Sequence, residues 1–104
     1  MRAPHPLTAQ ALGAALAGLP GWSIEGGCLV RRDRGDSFAR VIGWVVAVAT
    51  LADAMDHHPD IDIRYREVTW RLSTHSVGAI TELDLRLAQG ISEQIARPGI
   101  GHSP

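Results

Sequence analysis

The apolar positions of this chain fall into two strand-like alternations and three helical stripes. Ile61, Ile63 and Tyr65 alternate with Asp62, Arg64 and Arg66, the chain turns near Arg66-Glu67, and Val68, Trp70 and Leu72 then alternate with Thr69, Arg71 and Ser73. A period of two sends one set to each face of a strand, so this stretch predicts a β-hairpin with one apolar face. An earlier hairpin is predicted where Ser23-Ile24-Glu25 and Cys28 to Arg32 flank Gly26-Gly27, a pair that supplies the positive backbone angles of a tight turn. Between the hairpins, Phe38, Val41, Ile42, Val45, Val48, Ala49 and Ala52 recur at helical spacing. They predict a long helix from Phe38 to about Met55, capped by Asp36 or Ser37, with this stripe against the sheet. Trp44, Val46 and Leu51 lie off the stripe, and some of them are expected to face another subunit.

Two more helices flank this pattern. Leu7 to Leu19 is rich in Ala and Leu after Arg2, as a signal peptide would be, but Thr8 is a good N-cap and the stretch runs straight into Pro20-Gly21-Trp22. It reads as a short helix. The last helix begins at Thr81, with Asp84 at the third helical position as the aspartate version of a capping box, and Ile80 and Leu85 fit a hydrophobic staple. Leu83, Leu87, Ile91 and Ile95 form its expected buried stripe. Capping is the preferred role of Asp84, and catalysis the alternative. The element order is therefore αββαββα. Hairpin-linked strands imply an antiparallel sheet, and three singly striped helices are all satisfied on one of its faces, an α+β architecture. The expectation is a single domain over residues 1–104, with a flexible tail from about 97 to 104.

Composition narrows the function. With 10 basic and 11 acidic residues the net charge is −1, which leaves no electrostatic footprint for nucleic acid or an anionic membrane. Arg31, Arg32 and Arg34 alternate with Asp33 and Asp36 and read as a solvated strand face. Val41 to Leu51 is nearly continuous apolar sequence, but eleven residues fall short of the roughly 20 that span a hydrocarbon core, so a buried helix is expected. The lone Cys28 rules out an intrachain disulfide framework, suits a reducing cytoplasm and reads as a small apolar strand residue. A chain of 104 residues has a high surface-to-volume ratio, which oligomerisation would relieve.

The chemistry-bearing residues gather in one stretch. Asp53-Ala-Met-Asp56-His57-His58-Pro59 is followed after five residues by Tyr65, after nine more by His75 and after eight more by Asp84. Three of the five histidines fall within nineteen residues, and imidazole is the side chain best suited to exchanging protons near neutral pH. Pro59 disfavours helical geometry for His58, which places the adjacent pair where a helix ends. His75 shares parity with the polar set of its strand and should point away from the apolar layer. For any one histidine alone, a buried or incidental position is the alternative; as a trio at loop and strand ends they point to a site.

This pattern of an acidic residue, His-His-Pro, an aromatic, His and Asp, carried by Asp53, His57, His58, Pro59, Tyr65, His75 and Asp84, resembles the signature of the pterin-4a-carbinolamine dehydratases. Gly21-Trp22, Phe38, Leu72-Ser73-Thr74-His75 and Leu87-Ala88 also match, and the resemblance runs from about Leu7 to Ile95. It implies a four-stranded antiparallel sheet with helices on one side, assembled as dimers or dimers of dimers. It also implies an activity, the removal of water from 4a-hydroxytetrahydropterin to give quinonoid dihydropterin. Pterin is then the substrate and no cofactor or metal is expected. A functional link to an aromatic amino acid hydroxylase follows, since such enzymes produce the carbinolamine.

Carried over by position, Asp56, His57 and His58 would line the pterin site from one side, and Ser73, Thr74, His75 and Ser76 from the other. His57 and His75 are the expected proton-transfer pair and His58 mainly a substrate contact, with the acid and base assignments left open. Asp53 lies one helical turn before His57 and is expected to orient it, although many family members carry Glu there. Trp22 is either a stacking partner of the pterin or a core residue. Two competing readings remain. A zinc site is disfavoured by the adjacent histidines and the lack of a nearby cysteine. A protein-binding scaffold is the other, since relatives serve as a dimerisation cofactor of a homeodomain transcription factor and as assembly factors for a carbon-fixing enzyme.

Overall fold

The computed structural model describes residues 4–98, so the expected tail lies outside the described residues apart from Arg97 and Pro98. The elements are α1 (Ala9–Leu16), β1 (Ser23–Glu25), β2 (Cys28–Arg34), α2 (Phe38–Met55), β3 (Asp60–Arg64), β4 (Glu67–Leu72) and α3 (Glu82–Ala96). The αββαββα order and α+β class follow the sequence pattern. The four strands form one sheet in the order β1-β2-β4-β3, with every pairing antiparallel. The two hairpins thus join through β2 and β4, where Leu29 faces Leu72 and Asp33 faces Val68.

Directly opposed residues share a face. Leu29, Val68, Trp70 and Leu72 therefore make one apolar layer, extended at the edge by Ile61 and Ile63 opposite Trp70 and Val68. Val41 and Val48 of α2 and Leu87, Ala88 and Ile91 of α3 close over it, all of them fully buried. Helix α1 is capped by Thr8, whose Oγ1 accepts from Ala11 N at 3.0 Å, and contributes Leu12 and Leu16 at the margin of the core. Across the sheet, the Arg32 fork donates to both Glu25 carboxylate oxygens at 2.8 and 3.0 Å, and this hydrogen bonding holds the Glu25 carboxyl below its ordinary range.

Several expectations need correction. Arg31 and Asp33 do not belong to a solvated face: β2 register sets them opposite Trp70 and Val68, on the helix side of the sheet. There Arg31 Nε donates to Asp33 at 2.9 Å, Arg31 Nη1 donates to Ser92 Oγ and Trp70 Nε1 donates to Asp33 Oδ2. Polar groups are tolerated at this depth because each finds a partner. Arg32, Arg34 and Asp36 keep the exposed role. Tyr65 is not a strand residue. It sits at φ 52° in the two-residue Tyr65-Arg66 connection, 71% exposed, one position before the expected turn.

The long helix is capped by Ser37, not Asp36, with Ser37 Oγ accepting from Arg40 N at 3.0 Å. Its buried line is Val41, Val48 and Ala52, whereas Phe38 is 51% exposed and Ala49 also faces out. Successive helical residues diverge by about 100°, so Ala49 cannot share the direction of Val48. Rather than a buried helix, α2 is a surface helix whose outer side is largely apolar too; at 18 residues it is long and apolar enough to cross a membrane by length and composition. Of the three off-stripe residues, Val46 is 61% exposed, while Trp44 and Leu51 pack beside the core. Leu51 meets α3 at Gly90, where a Cβ would come within 2.3 Å of its Cδ2. On α3, Leu83 departs from the expected stripe and Asp84 takes the fully buried place beside Leu87.

Candidate active site

The site begins where α2 stops. Asp56 adopts the left-handed conformation (φ 51°, ψ 42°), the His57 amide donates back to Ala52 O at 3.1 Å and the Asp56 amide to Asp53 O at 3.2 Å. This pair of bonds is a Schellman motif, with aspartate where glycine is usual. The reversal swings His57 off the helix, and Pro59 prevents the helix from resuming before β3 begins at Asp60.

The opposite wall is the continuation of β4. Thr74 bridges to Ala79, its amide donating to Ala79 O at 2.9 Å, and Gly78 at φ 63° lets the intervening chain fold back with its own amide on Thr74 O. This tight loop displays His75 and Ser76, both exposed. Between the walls lies an open cleft of about 390 Å³, within the range of small-molecule sites. Asp56, His57 and His58 line it on one side and Ser73, Thr74, His75 and Ser76 on the other, so all seven expected contact residues meet there.

At the floor, His57 Nε2 lies 2.6 Å from Asp84 Oδ1, with the two side chains 11% and 0% exposed. Asp84 Oδ2 accepts from Thr81 N at 2.9 Å and from Thr74 Oγ1 at 2.7 Å. Asp84 is the third residue of α3, the capping-box position whose side chain takes the Thr81 amide. A carboxylate only accepts, so with Asp84 in that form the hydrogen of the His57 contact is on Nε2. Nδ1 is then the ring nitrogen left for proton exchange. The capping role of Asp84 is present, and the same side chain also anchors His57.

His58 Nε2 contacts Asp53 Oδ1 at 2.9 Å on an exposed surface, with 55% and 80% of the side chains accessible. Asp53 was expected to serve His57. The left-handed turn at Asp56 breaks the helical register, turning His57 towards α3 and leaving Asp53 to the next histidine. Trp22 does not line the cleft; it is a core residue, 6% exposed, whose Nε1 donates to Ser92 Oγ at 2.8 Å. Asp60 and Pro4 line the cleft without having been singled out, and so does Leu83, which was expected in the buried stripe of α3. Asp60 follows directly on Pro59 and could have been inferred from that neighbourhood. The partnership of His57 with Asp84, 27 residues apart, required the fold. Among the described residues, no three His, Cys, Asp or Glu side chains converge as a metal-binding group.

Fold and cleft define a small α+β protein with a histidine-rich pocket, and solved structures share both its topology and its size. A transcriptional coactivator/pterin dehydratase from Brucella melitensis superposes with a TM-score of 0.85 at 30% identity, covering 88% of this chain and 100% of that one. A pterin dehydratase-like RuBisCO assembly factor of the alpha-carboxysome shares the fold at a TM-score of 0.60 and 18% identity, over 74% and 89% of the two chains. By sequence, a Mycobacteroides abscessus protein named for the pterin-4-alpha-carbinolamine dehydratases is 54% identical over 91 residues, 88% of this chain and 97% of its own. A Chloroflexus aurantiacus protein with the same name is 49% identical over 75% of this chain and 84% of its own. The chain belongs to the Pterin 4 alpha carbinolamine dehydratase family, whose pattern it matches over residues 5–94.

Proposed function

We propose that this chain dehydrates 4a-hydroxytetrahydropterin by histidine proton transfer, without a cofactor or metal. The reaction breaks the C4a–O bond. An acid protonates the departing hydroxyl, which leaves as water, while a base takes the N5 proton and the N5 electron pair becomes the C4a=N5 double bond of the quinonoid product. His57 is the base in this reading, because Asp84 fixes the proton on Nε2 and faces the cation formed when Nδ1 accepts another. His75, solvent-accessible across the cleft, is the acid and recovers its proton from water. His58, held by Asp53 at the surface, contacts the substrate.

The observation that carries this reading is the buried Asp84 carboxylate against His57 in the cleft that His75 also lines. Capping α3 accounts for Oδ2 of that carboxylate; the reading rests on Oδ1 being turned to a histidine that lines the cleft. The reading extends to recycling of the pterin used by an aromatic amino acid hydroxylase, in the cytoplasm. It includes a homodimer or homotetramer, supported by the apolar outer side of α2 with Phe38 and Val46 exposed.

Steady-state kinetics of three variants test the assignment. His57→Ala and His75→Ala should each lower kcat by roughly 10²-fold or more, as loss of a general acid or base does. His58→Ala should raise KM with kcat largely retained. Unchanged turnover in His57→Ala would remove the base from the scheme.

A further inference from the structure

Behind the cleft, the Asp84 carboxylate ends a chain of hydroxyls that no part of the proposed reaction has yet used. Thr74 Oγ1 lies 2.7 Å from Asp84 Oδ2 and 2.7 Å from Thr81 Oγ1, while Thr81 Oγ1 accepts from Leu83 N at 3.2 Å. Thr74 is 4% exposed, and Thr81 and Asp84 are fully buried, so water does not compete for these groups. With Asp84 as a carboxylate, the hydroxyl directions follow. Oδ2 already accepts the Thr81 amide and, being ionised, cannot donate, so the single Thr74 hydroxyl proton points to it. The Thr74 oxygen is thereby left as an acceptor, and the Thr81 hydroxyl must donate to it. The Thr81 lone pair in turn takes the Leu83 amide at the first turn of α3.

From this order we infer that Thr81 and Thr74 are positioning residues for His57, acting through Asp84. Three donors, the Thr81 amide, the Thr74 hydroxyl and the imidazole Nε2–H, hold the carboxylate in one rotamer with Oδ1 aimed at the ring. Short, charge-assisted bonds in a dry site reinforce one another, so an amide at the start of α3 is linked to the tautomer of an imidazole beyond the end of α2. Thr81 is the informative member because it does not line the cleft. Its substitution cannot act by removing a substrate contact. The inference rests on the dehydratase reading for its catalytic meaning, but its structural content stands on the tautomer alone.

Two measurements on the full chain test it. Two-bond proton–nitrogen correlation spectra of 15N-histidine-labelled protein report the tautomer of each ring, and kinetics with synthetic 4a-hydroxytetrahydropterin report turnover. The native protein should show His57 as the Nε2–H tautomer. Thr81→Val should give a mixed-tautomer signal and lower kcat roughly 10-fold, as a small misplacement of a catalytic group does, with KM within about twofold. Thr81→Ser, which restores the hydroxyl, should recover both. Should the Val variant fail to fold, Thr81→Gly keeps an adequate N-cap without the hydroxyl and carries the same expectation. A native-like His57 tautomer and kcat in the folded variant lacking the hydroxyl would overturn the inference. A chain without dehydratase activity, whose His57 tautomer still responds to Thr81→Val, would uphold the hydroxyl chain and fail the dehydratase reading.

Discussion

Asp84→Asn tests the logic of the site with the smallest change in shape. The position of Oδ2 must still accept from Thr81 N and Thr74 Oγ1, so the amide oxygen belongs there and the NH₂ group replaces Oδ1 against His57. Two donors now face one another across 2.6 Å unless the ring gives up its Nε2 proton. The imidazole then carries its hydrogen on Nδ1, and the lone pair that should take the N5 proton is gone. A reversed tautomer of this kind costs about 10²- to 10⁴-fold in turnover. Stability should fall as well, because a hydrogen bond to a buried charge contributes about 1.5–3 kcal/mol. For a domain of this size each kcal/mol lowers Tm by roughly 4–8 °C. The assay pairs stopped-flow dehydration with thermal unfolding followed by circular dichroism. A variant that melts lower and yet turns over within about threefold of the native rate would refute the tautomer argument, since that argument demands a catalytic loss of at least 10²-fold.

Gly90→Ala should lower stability and with it Tm, since overpacking against Leu51 costs about 1–3 kcal/mol and regained helix propensity returns up to about 1 kcal/mol, and Leu51→Ala in the same chain should relieve it; a thermal melt of both variants decides the point. The chain should be oligomeric at micromolar concentration, and Val46→Asp on the exposed side of α2 should shift the mass by light scattering towards the monomer. Dialysis against a strong chelator should leave turnover intact, and a loss that added zinc reverses would put metal back into the scheme.

The sequence made most of the scaffold legible because each element obeys a local rule. Gly26-Gly27 closes the first hairpin, Thr8, Ser37 and Thr81 cap helices, and Val68, Trp70 and Leu72 keep the two-residue period of a strand buried on one face. The parts that escaped depend on contacts between elements. Arg31 and Asp33 look solvated by composition, and only their pairing with Trp70 and Val68 sends them inward. Asp53 four residues before His57 implies a helical pair, but the left-handed Asp56 breaks the helix between them. The cleft lining was legible through the resemblance to the dehydratases, which carries Asp56 to His58 and Ser73 to Ser76 over by position. The carboxylate that organises it looked like a helix cap, because a cap is what Asp84 also is. One side chain with two oxygens performs both tasks, and the second becomes visible only when α3 is set against the end of α2.

The central claim is catalysis of a dehydration, and the direct measurement is the rate at which synthetic 4a-hydroxytetrahydropterin loses water with and without the protein. The spectral change to quinonoid dihydropterin should be accelerated in proportion to native protein, and far less by the same concentration of His57→Ala. A rate equal to that of buffer alone, from folded protein, would contradict the account and leave the chain a member of the family without this turnover.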